Sequence, residues 1–285
     1  MIGLGFLISR YQQLESRTLS NLTIYLLTPA LIFTKYVHNP IPLPEIFRII
    51  LFSVLFFSSM ALLTFIVTKI LAQNRLLRHS FCLSVILLNS GNMGLPFIIF
   101  AFGDAGLSVA IIFLMISIVN TNTLGVFIAA GASSTPLTAA KQIFMLPAIY
   151  AIFASIIIQQ VHLKIPGVIL DPLTLLGEAA IPTSIILLGT QLASSKLGKH
   201  SRDTIIATIM RLFVSAGVTF GLTELIYFEP LTRKILILLT SMPSAVYSVI
   251  LADKFNTRPD FTSSVVFVST LGSAVSLAVL LYLVG

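Results

Sequence analysis

The run Asn89-Ser90-Gly91-Asn92-Met93-Gly94-Leu95-Pro96 puts two side-chain amides, a hydroxyl, two glycines and a proline into eight residues. It holds neither carboxylate nor imidazole, so Ser90 has no base beside it and nucleophilic chemistry has no start. What such residues can do is bind. Amide and backbone N–H groups donate to an anion, and glycine lets a ligand approach the main chain. In a soluble chain this would read as a surface loop. Here the flanks are Leu83-Ser84-Val85-Ile86-Leu87-Leu88 and Phe97-Ile98-Ile99-Phe100-Ala101-Phe102, and the stretch from about Phe81 to Phe102 is long enough to cross a bilayer. Broken backbone survives at that depth only when packed in protein or lining a wet cavity. A discontinuous helix is the best sequence pointer to a carrier's binding site.

A second break follows at Thr240-Ser241-Met242-Pro243-Ser244-Ala245-Val246-Tyr247-Ser248. Proline inside a helix removes a hydrogen bond and clashes with the preceding turn, yet it suits the first turn of a new half-helix. Pro96 and Pro243 are therefore expected to leave free N–H groups beyond each break and free carbonyls before it. Each helix N-terminus carries roughly half a positive charge, so two converging termini make an anion site without Lys or Arg, and neither break contains one. Asn89, Ser90, Asn92, Thr240, Ser241 and Ser244 either add neutral hydrogen bonds to a ligand or only satisfy the broken backbone. Gly91 and Gly94 shape the first break, and Tyr247 supplies an aromatic wall. Asn120-Thr121-Asn122-Thr123 forms a third polar cluster, with Asn120 and Asn122 completing the cavity or bonding across to the fourth helix. Glu178 reads as a carboxylate reaching the outer interface, or as a proton carrier. Arg211 is expected to snorkel to the cytoplasmic face, and Asp104 and Asp253 to be solvated at helix ends.

The elements that hold these residues are membrane helices. The chain is 56% apolar and 9% charged, with a mean hydropathy of +1.02, whereas soluble domains carry about a quarter charged residues. The net charge of +7 reports orientation rather than nucleic-acid binding, because the bases lie in short loops between apolar runs. One cysteine, Cys82, excludes an internal disulfide. No His-Glu-x-x-His run is present and the four histidines fall in loops or at helix ends, so neither metal nor cofactor is expected. Apolar windows place spans near 18–38, 47–71, 79–102, 105–130, 138–160, 172–194, 204–227, 231–253 and 261–284. Met1 to Ser9 lacks the features of a signal peptide and is too short to span, so it is read as the end of a truncated first helix. The linkers, such as 39–44 and 131–136, are too short for a soluble domain.

Arg10, Arg17, Lys69, Arg75, Arg78, Lys141, Lys196, Lys199, Arg202, Lys254 and Arg258 fall on one side; Lys35, Arg48, Lys164, Arg233 and Lys234 fall on the other. The richer side is cytoplasmic, which places the C-terminus outside a cytoplasmic (inner) membrane. Thr28-Pro29-Ala30-Leu31-Ile32 recurs as Ile181-Pro182-Thr183-Ser184-Ile185, and Pro96 as Pro243. Such an offset spans five helices, an odd number, so two repeats of opposite topology are expected: residues 1–130 (partial helix one, helices two to five) and 131–285 (helices six to ten).

The Asn-x-Gly-Asn-x-Gly-Leu-Pro run at 89–96 resembles the fourth-helix motif of the auxin efflux carrier family. That family includes plant PIN proteins and bacterial organic-acid permeases, within the wider group of bile-acid, arsenite and riboflavin transporters. Ser241-Met242-Pro243-Ser244-Ala245-Val246 with Leu251-Ala252-Asp253 is similar to its ninth-helix segment, and Ala179-Ala180-Ile181-Pro182 with Leu187-Leu188-Gly189 to its seventh. The resemblance implies an all-α, ten-helix inverted-repeat fold. Helices one, two, six and seven form a scaffold that mediates homodimers in the plant members. Helices three to five and eight to ten form a transport domain, with helices four and nine crossing at their prolines. It further implies a secondary carrier of small organic anions such as carboxylates, working by an elevator cycle, with Asn89, Asn92, Pro96 and Pro243 at the site. The rivals are a sodium- or proton-coupled carrier of the bile-acid type and a non-transporting membrane sensor. An intramembrane enzyme lacks the residues it would need.

Overall fold

Proline and glycine punctuate the helices, and the hydrophobic runs between them set their lengths. A computed structural model of the chain describes residues 1–12, 16–71, 73–131, 144–193 and 201–284. Lys141, Lys196, Lys199, His200 and most of the expected 131–136 linker lie outside the described residues.

The first helix, α1, is Ile2–Gln12. Residues 16–38 form α2, whose middle is a π turn, Thr23–Leu27, just before Pro29. The widened turn accommodates a residue that cannot donate a hydrogen bond. Helix α3, Leu43–Ile70, opens with Pro44 in its first turn, where a missing N–H costs nothing. Asn74 caps α4, Arg75–Ile86, by accepting the Leu77 N–H at 3.0 Å. The helical run Ser90–Ala129 divides at Gly103, whose φ of 66° and ψ of −160° break it. This gives a short α5 (residues 90–102) and a long α6 (residues 104–129). Then come α7, Pro147–Gln160, and α8, Gly167–Ala193. Helix α9 covers residues 201–225 with a π turn at Met210–Val214. Helix α10 is Pro230–Thr240, α11 is Tyr247–Lys254 and α12 is Pro259–Val284.

Several helix starts differ from the expected ones: α3 begins at Leu43 rather than 47, and α7 at Pro147, after extended Leu146, rather than at 138. Helix α8 begins at Gly167, five residues before the expected start, so Pro172 lies inside its first turns rather than at its head. Likewise α9 begins at 201 rather than 204, which moves every residue on it deeper.

All described elements are helical apart from one isolated antiparallel bridge. Five runs, Leu43–Ile70, Ser90–Ala129, Gly167–Ala193, Arg202–Leu225 and Pro259–Val284, are long and apolar enough to cross a membrane. Large apolar side chains such as Phe47, Phe100 and Val275 stand exposed. A soluble chain would hide such a surface and a lipid-facing one does not. The protein is a multi-pass membrane protein.

The helices sort by contact into two groups. Helices α1, α2, α7 and α8 pack on one another, α1 and α2 on α8 and α7 on α2. Helices α3 to α6 pack with α9 to α12. The groups meet where α2 and α8 touch the start of α5 and the body of α6.

Lipid tails offer no hydrophobic drive between helices, so close backbone approach has to supply the attraction within the first group. A Cβ on Gly189 would collide with the Ile2 carbonyl, and one on Gly5 with the Ile186 carbonyl. A Cβ on Gly177 would lie 2.9 Å from the Leu31 Cα. Gly189→Ala is therefore expected to push α1 off α8 and cost about 1–3 kcal/mol. Melting of the purified protein in detergent checks this against Gly217→Ala, whose Cβ would meet nothing within 4 Å and should leave the midpoint unchanged.

Candidate functional site

Helix α4 ends at Ile86 and passes directly into extended chain, whereas α10 ends at Thr240 in a tight turn through Ser241 and Met242 before its chain extends. These two extended pieces cross as the antiparallel bridge between Leu88 and Ser244. Two main-chain bonds close it: Asn89 N–H donates to the Pro243 carbonyl and Ala245 N–H to the Leu87 carbonyl, both at 2.9 Å. Both helices are thus broken, and the breaks touch.

From the crossing the chain re-enters helix twice, at Ser90 and at Tyr247. At roughly 3.5 Å per extended residue, both starts fall within about 10 Å of the bridge. Asn89 caps the first, its carbonyl accepting the Gly94 N–H at 3.0 Å across the π turn Ser90–Gly94. The first N–H groups of that turn have no partner within the helix, so the turn presents donors and the positive end of a helix dipole. Its near neighbour is α8.

The expected site residues divide by what their side chains already do. Asn89, Ser90, Gly94, Pro96, Thr240, Ser241, Pro243 and Ser244 are buried at the crossing, Gly91 and Asn92 are half-buried, and Tyr247 is exposed. Thr240 and Ser241 donate their hydroxyls to the Leu236 and Ile237 carbonyls at 2.7 Å. Both are fully buried, so they serve the end of α10. The Ser244 hydroxyl sits 3.5 Å from that of Ser248, while its N–H donates to the Ser269 hydroxyl at 3.1 Å. Asn122 donates back to the Ile118 carbonyl at 2.8 Å on its own helix. By contrast, the side-chain amide nitrogens of Asn89 and Asn120 are buried and meet no acceptor among the described residues.

The two prolines do not mark the crossing in the same way. Pro243 lies in the extended chain and its carbonyl is part of the bridge. Pro96 instead follows the π turn, in the first turn of the helix Leu95–Asn120. The bridge falls at Leu88, before Pro96, because α4 has already ended at Ile86 and the chain stays extended until the π turn Ser90–Gly94. Close packing fixes this turn: a Cβ on Gly94 would lie 2.9 Å from Leu239 Cδ2.

Arg211 corrects the sequence reading most. It does not snorkel. The side chain is wholly buried, with Nη1 donating to the Val85 carbonyl at 2.6 Å and Nη2 donating to the Thr240 carbonyl. Its guanidinium carbon lies 6.0 Å from the Phe56 ring centroid. A signal was present. Ten residues into α9, at roughly 1.5 Å each, place it about 15 Å deep, half of a bilayer's hydrocarbon thickness. Asp104 is also not simply solvated, since it pairs with Lys35 at 2.9 Å and joins α6 to α2. Asp253 is exposed at the end of α11. Glu178 is exposed and, with Lys35, Ile99, Phe100 and Pro182, lines a cavity of about 280 Å³ between α2, α5 and α8. Among the described residues no cluster of His, Cys, Asp or Glu could hold a metal.

A crossing of two broken helices thus gathers buried amides and N–H groups without helix partners. Comparison with known proteins places the chain among membrane transporters. The family described as Membrane transport protein matches residues 1–138 and 135–281. An uncharacterized transporter of Methanocaldococcus jannaschii is 29% identical over 194 residues, 67% of this chain and 63% of the relative. An uncharacterized transporter of Methanothermobacter thermautotrophicus is 29% identical over 193 residues, again 67% and 63%. The matched region thus spans just under two thirds of the length of these relatives.

Proposed function

The chain belongs to the membrane transport protein family, that of the auxin efflux carriers, and from that premise we propose that it is a secondary carrier of small organic anions, carboxylates in particular, across the cytoplasmic membrane. One observation carries the reading. The bridge between Leu88 and Ser244 holds two helix breaks together, and new helices start on either side of it. A carboxylate there meets the positive ends of α5 and α11, the backbone donors of Ser90 to Met93, and the free amides of Asn89 and Asn120. Charge is met by dipoles and hydrogen bonds, so the guest can leave again, which a tight ion pair with lysine or arginine would oppose.

The architecture follows on the same reading. Joining α4 to α5 and α10 to α11 across their breaks gives ten passes in two inverted sets of five, residues 1–130 and 131–285, with the C-terminus outside. Helices α1, α2, α7 and α8 act as the scaffold and the other group moves against it, carrying the crossing from one face to the other. The packing groups support this division, because the crossing lies wholly in one of them and touches the other chiefly through α8.

Uptake and counterflow in proteoliposomes test the proposal, with labelled malate, malonate and indole-3-acetate as probes and inulin as the leak control. Saturable counterflow of at least one acid is expected. Its absence for all three, with protein shown to be folded and inserted, would sink the anion-carrier reading.

A further inference from the structure

Helices α4 and α10 both end at the crossing, and a carbonyl from the last turn of each, Val85 and Thr240, accepts from one side chain. Each helix C-terminus carries roughly half a negative charge, so the two together come to about one unit. In secondary carriers with broken helices, half-helix C-terminal ends and unwound carbonyls are what coordinate a coupling sodium ion. Here that place is taken by a side chain: the Arg211 guanidinium bonds the Val85 carbonyl of α4 and the Thr240 carbonyl of α10.

We propose that Arg211 is a resident cation that substitutes for a coupling sodium ion, so that the protein holds its crossing together, and cycles, without one. The second half of that statement rests on the carrier reading above; the first does not. Three features carry it. The charge is buried without a carboxylate, since the ion pairs of the described residues are Lys35–Asp104, Arg48–Glu45, Arg233–Glu224 and Arg258–Asp260, none of which includes it. Among the described residues this buried cation therefore has only the two carbonyl ends and the face of Phe56 to compensate it. The guanidinium is a planar fork that can satisfy two diverging acceptors at once, which a lysine ammonium does less well. The surroundings are also braced. The Thr219 hydroxyl donates to that of Thr240 at 2.7 Å, and Ser215 donates to the Arg211 carbonyl across the π turn. Arg211 is a positioning residue on this view: it touches the carbonyl ends of the crossing, while substrate binds at the amino ends.

Melting in detergent and counterflow in proteoliposomes test it in parallel, each in sodium chloride and in choline chloride of equal ionic strength. The native protein is expected to melt at the same temperature in both salts and to carry malate, malonate or indole-3-acetate at rates within about twofold. Arg211→Ala is expected to melt lower and lose at least about tenfold in flux. Methylguanidinium should raise its midpoint by about 2–3 °C, as occupancy at ten times Kd does in a chain of this size, and restore part of the flux. The native protein should show neither response. Sodium stabilising or activating the native protein overturns the proposal, as does Arg211→Ala behaving like native. Equal responses of native and variant to methylguanidinium overturn it too. If Arg211→Ala does not fold, Arg211→Lys decides: it keeps the charge and should remain indifferent to sodium, and a sodium requirement there counts against the proposal. Should none of the acids be carried, the carrier reading fails, while the melting arm still tests the resident cation.

Discussion

Asn89→Leu lowers counterflow of the transported anion by about 10- to 150-fold and leaves the melting temperature equal or higher. The first half follows from the hydrogen bond lost. A bond from a neutral amide to a charged acceptor is worth about 1.5–3 kcal/mol, and the Asn89 amide nitrogen is buried with no acceptor among the described residues. The second half follows from the same fact. An unmatched buried donor costs about 1–3 kcal/mol in the empty protein, and leucine of similar size removes that cost. The Asn89 main-chain bond to Pro243 is kept. Loss of flux together with unchanged or improved stability separates a ligand-binding amide from one that merely satisfies the backbone. Asn89→Asp should do worse than leucine in flux, because it sets a second negative charge against the anion. Flux in Asn89→Leu within twofold of native would remove Asn89 from the site.

The two breaks were legible because they violate their surroundings. Two asparagines and two glycines inside a run such as Leu83 to Phe102 conflict with lipid exposure, and Pro243 conflicts with a continuous helix. Most helix limits were legible for the same reason, since hydrocarbon thickness fixes how long an apolar run has to be. What stayed hidden depends on partners distant in the chain. Nothing near Asn89 announces that its N–H pairs with the Pro243 carbonyl; the crossing expected at both prolines includes Pro243 but meets the other helix at Leu88, eight residues before Pro96. Thr240 and Ser241 were read as ligand donors as readily as helix-enders; only the packed helix shows their hydroxyls turned back one turn. Asp104 reads as solvated from its place at a helix end, and pairs with Lys35 once α2 and α6 are adjacent.

Arg211 was misjudged for a different reason. The late placement of the start of α9 made the residue look shallow, and a shallow arginine does snorkel. At its actual depth a free charge is untenable, so it had to find acceptors. The two exposed carbonyl ends left by the breaks were the acceptors on offer. On the proposed reading, the interruption that leaves donors for an anion at the amino ends of α5 and α11 also leaves acceptors for a cation at the carboxyl ends of α4 and α10. One irregularity in each helix creates both.

The crossing itself is open to a sharper test, because one of its two bonds can be deleted with little other change. Ala245→Pro removes the N–H that donates to the Leu87 carbonyl. Proline restricts the residue before it to extended backbone, which Ser244 already adopts as a bridge partner. It is also welcome shortly before a helix, where α11 begins. The orphaned carbonyl is then the main cost, about 1–3 kcal/mol where no water reaches it. The melting temperature should fall, and flux should drop to background, because the amino ends of α5 and α11 lose their common register. Ala245→Gly keeps the N–H and serves as the control, with flux close to native. Native flux in a folded Ala245→Pro protein would mean that the bridge is incidental and that the anion is held elsewhere.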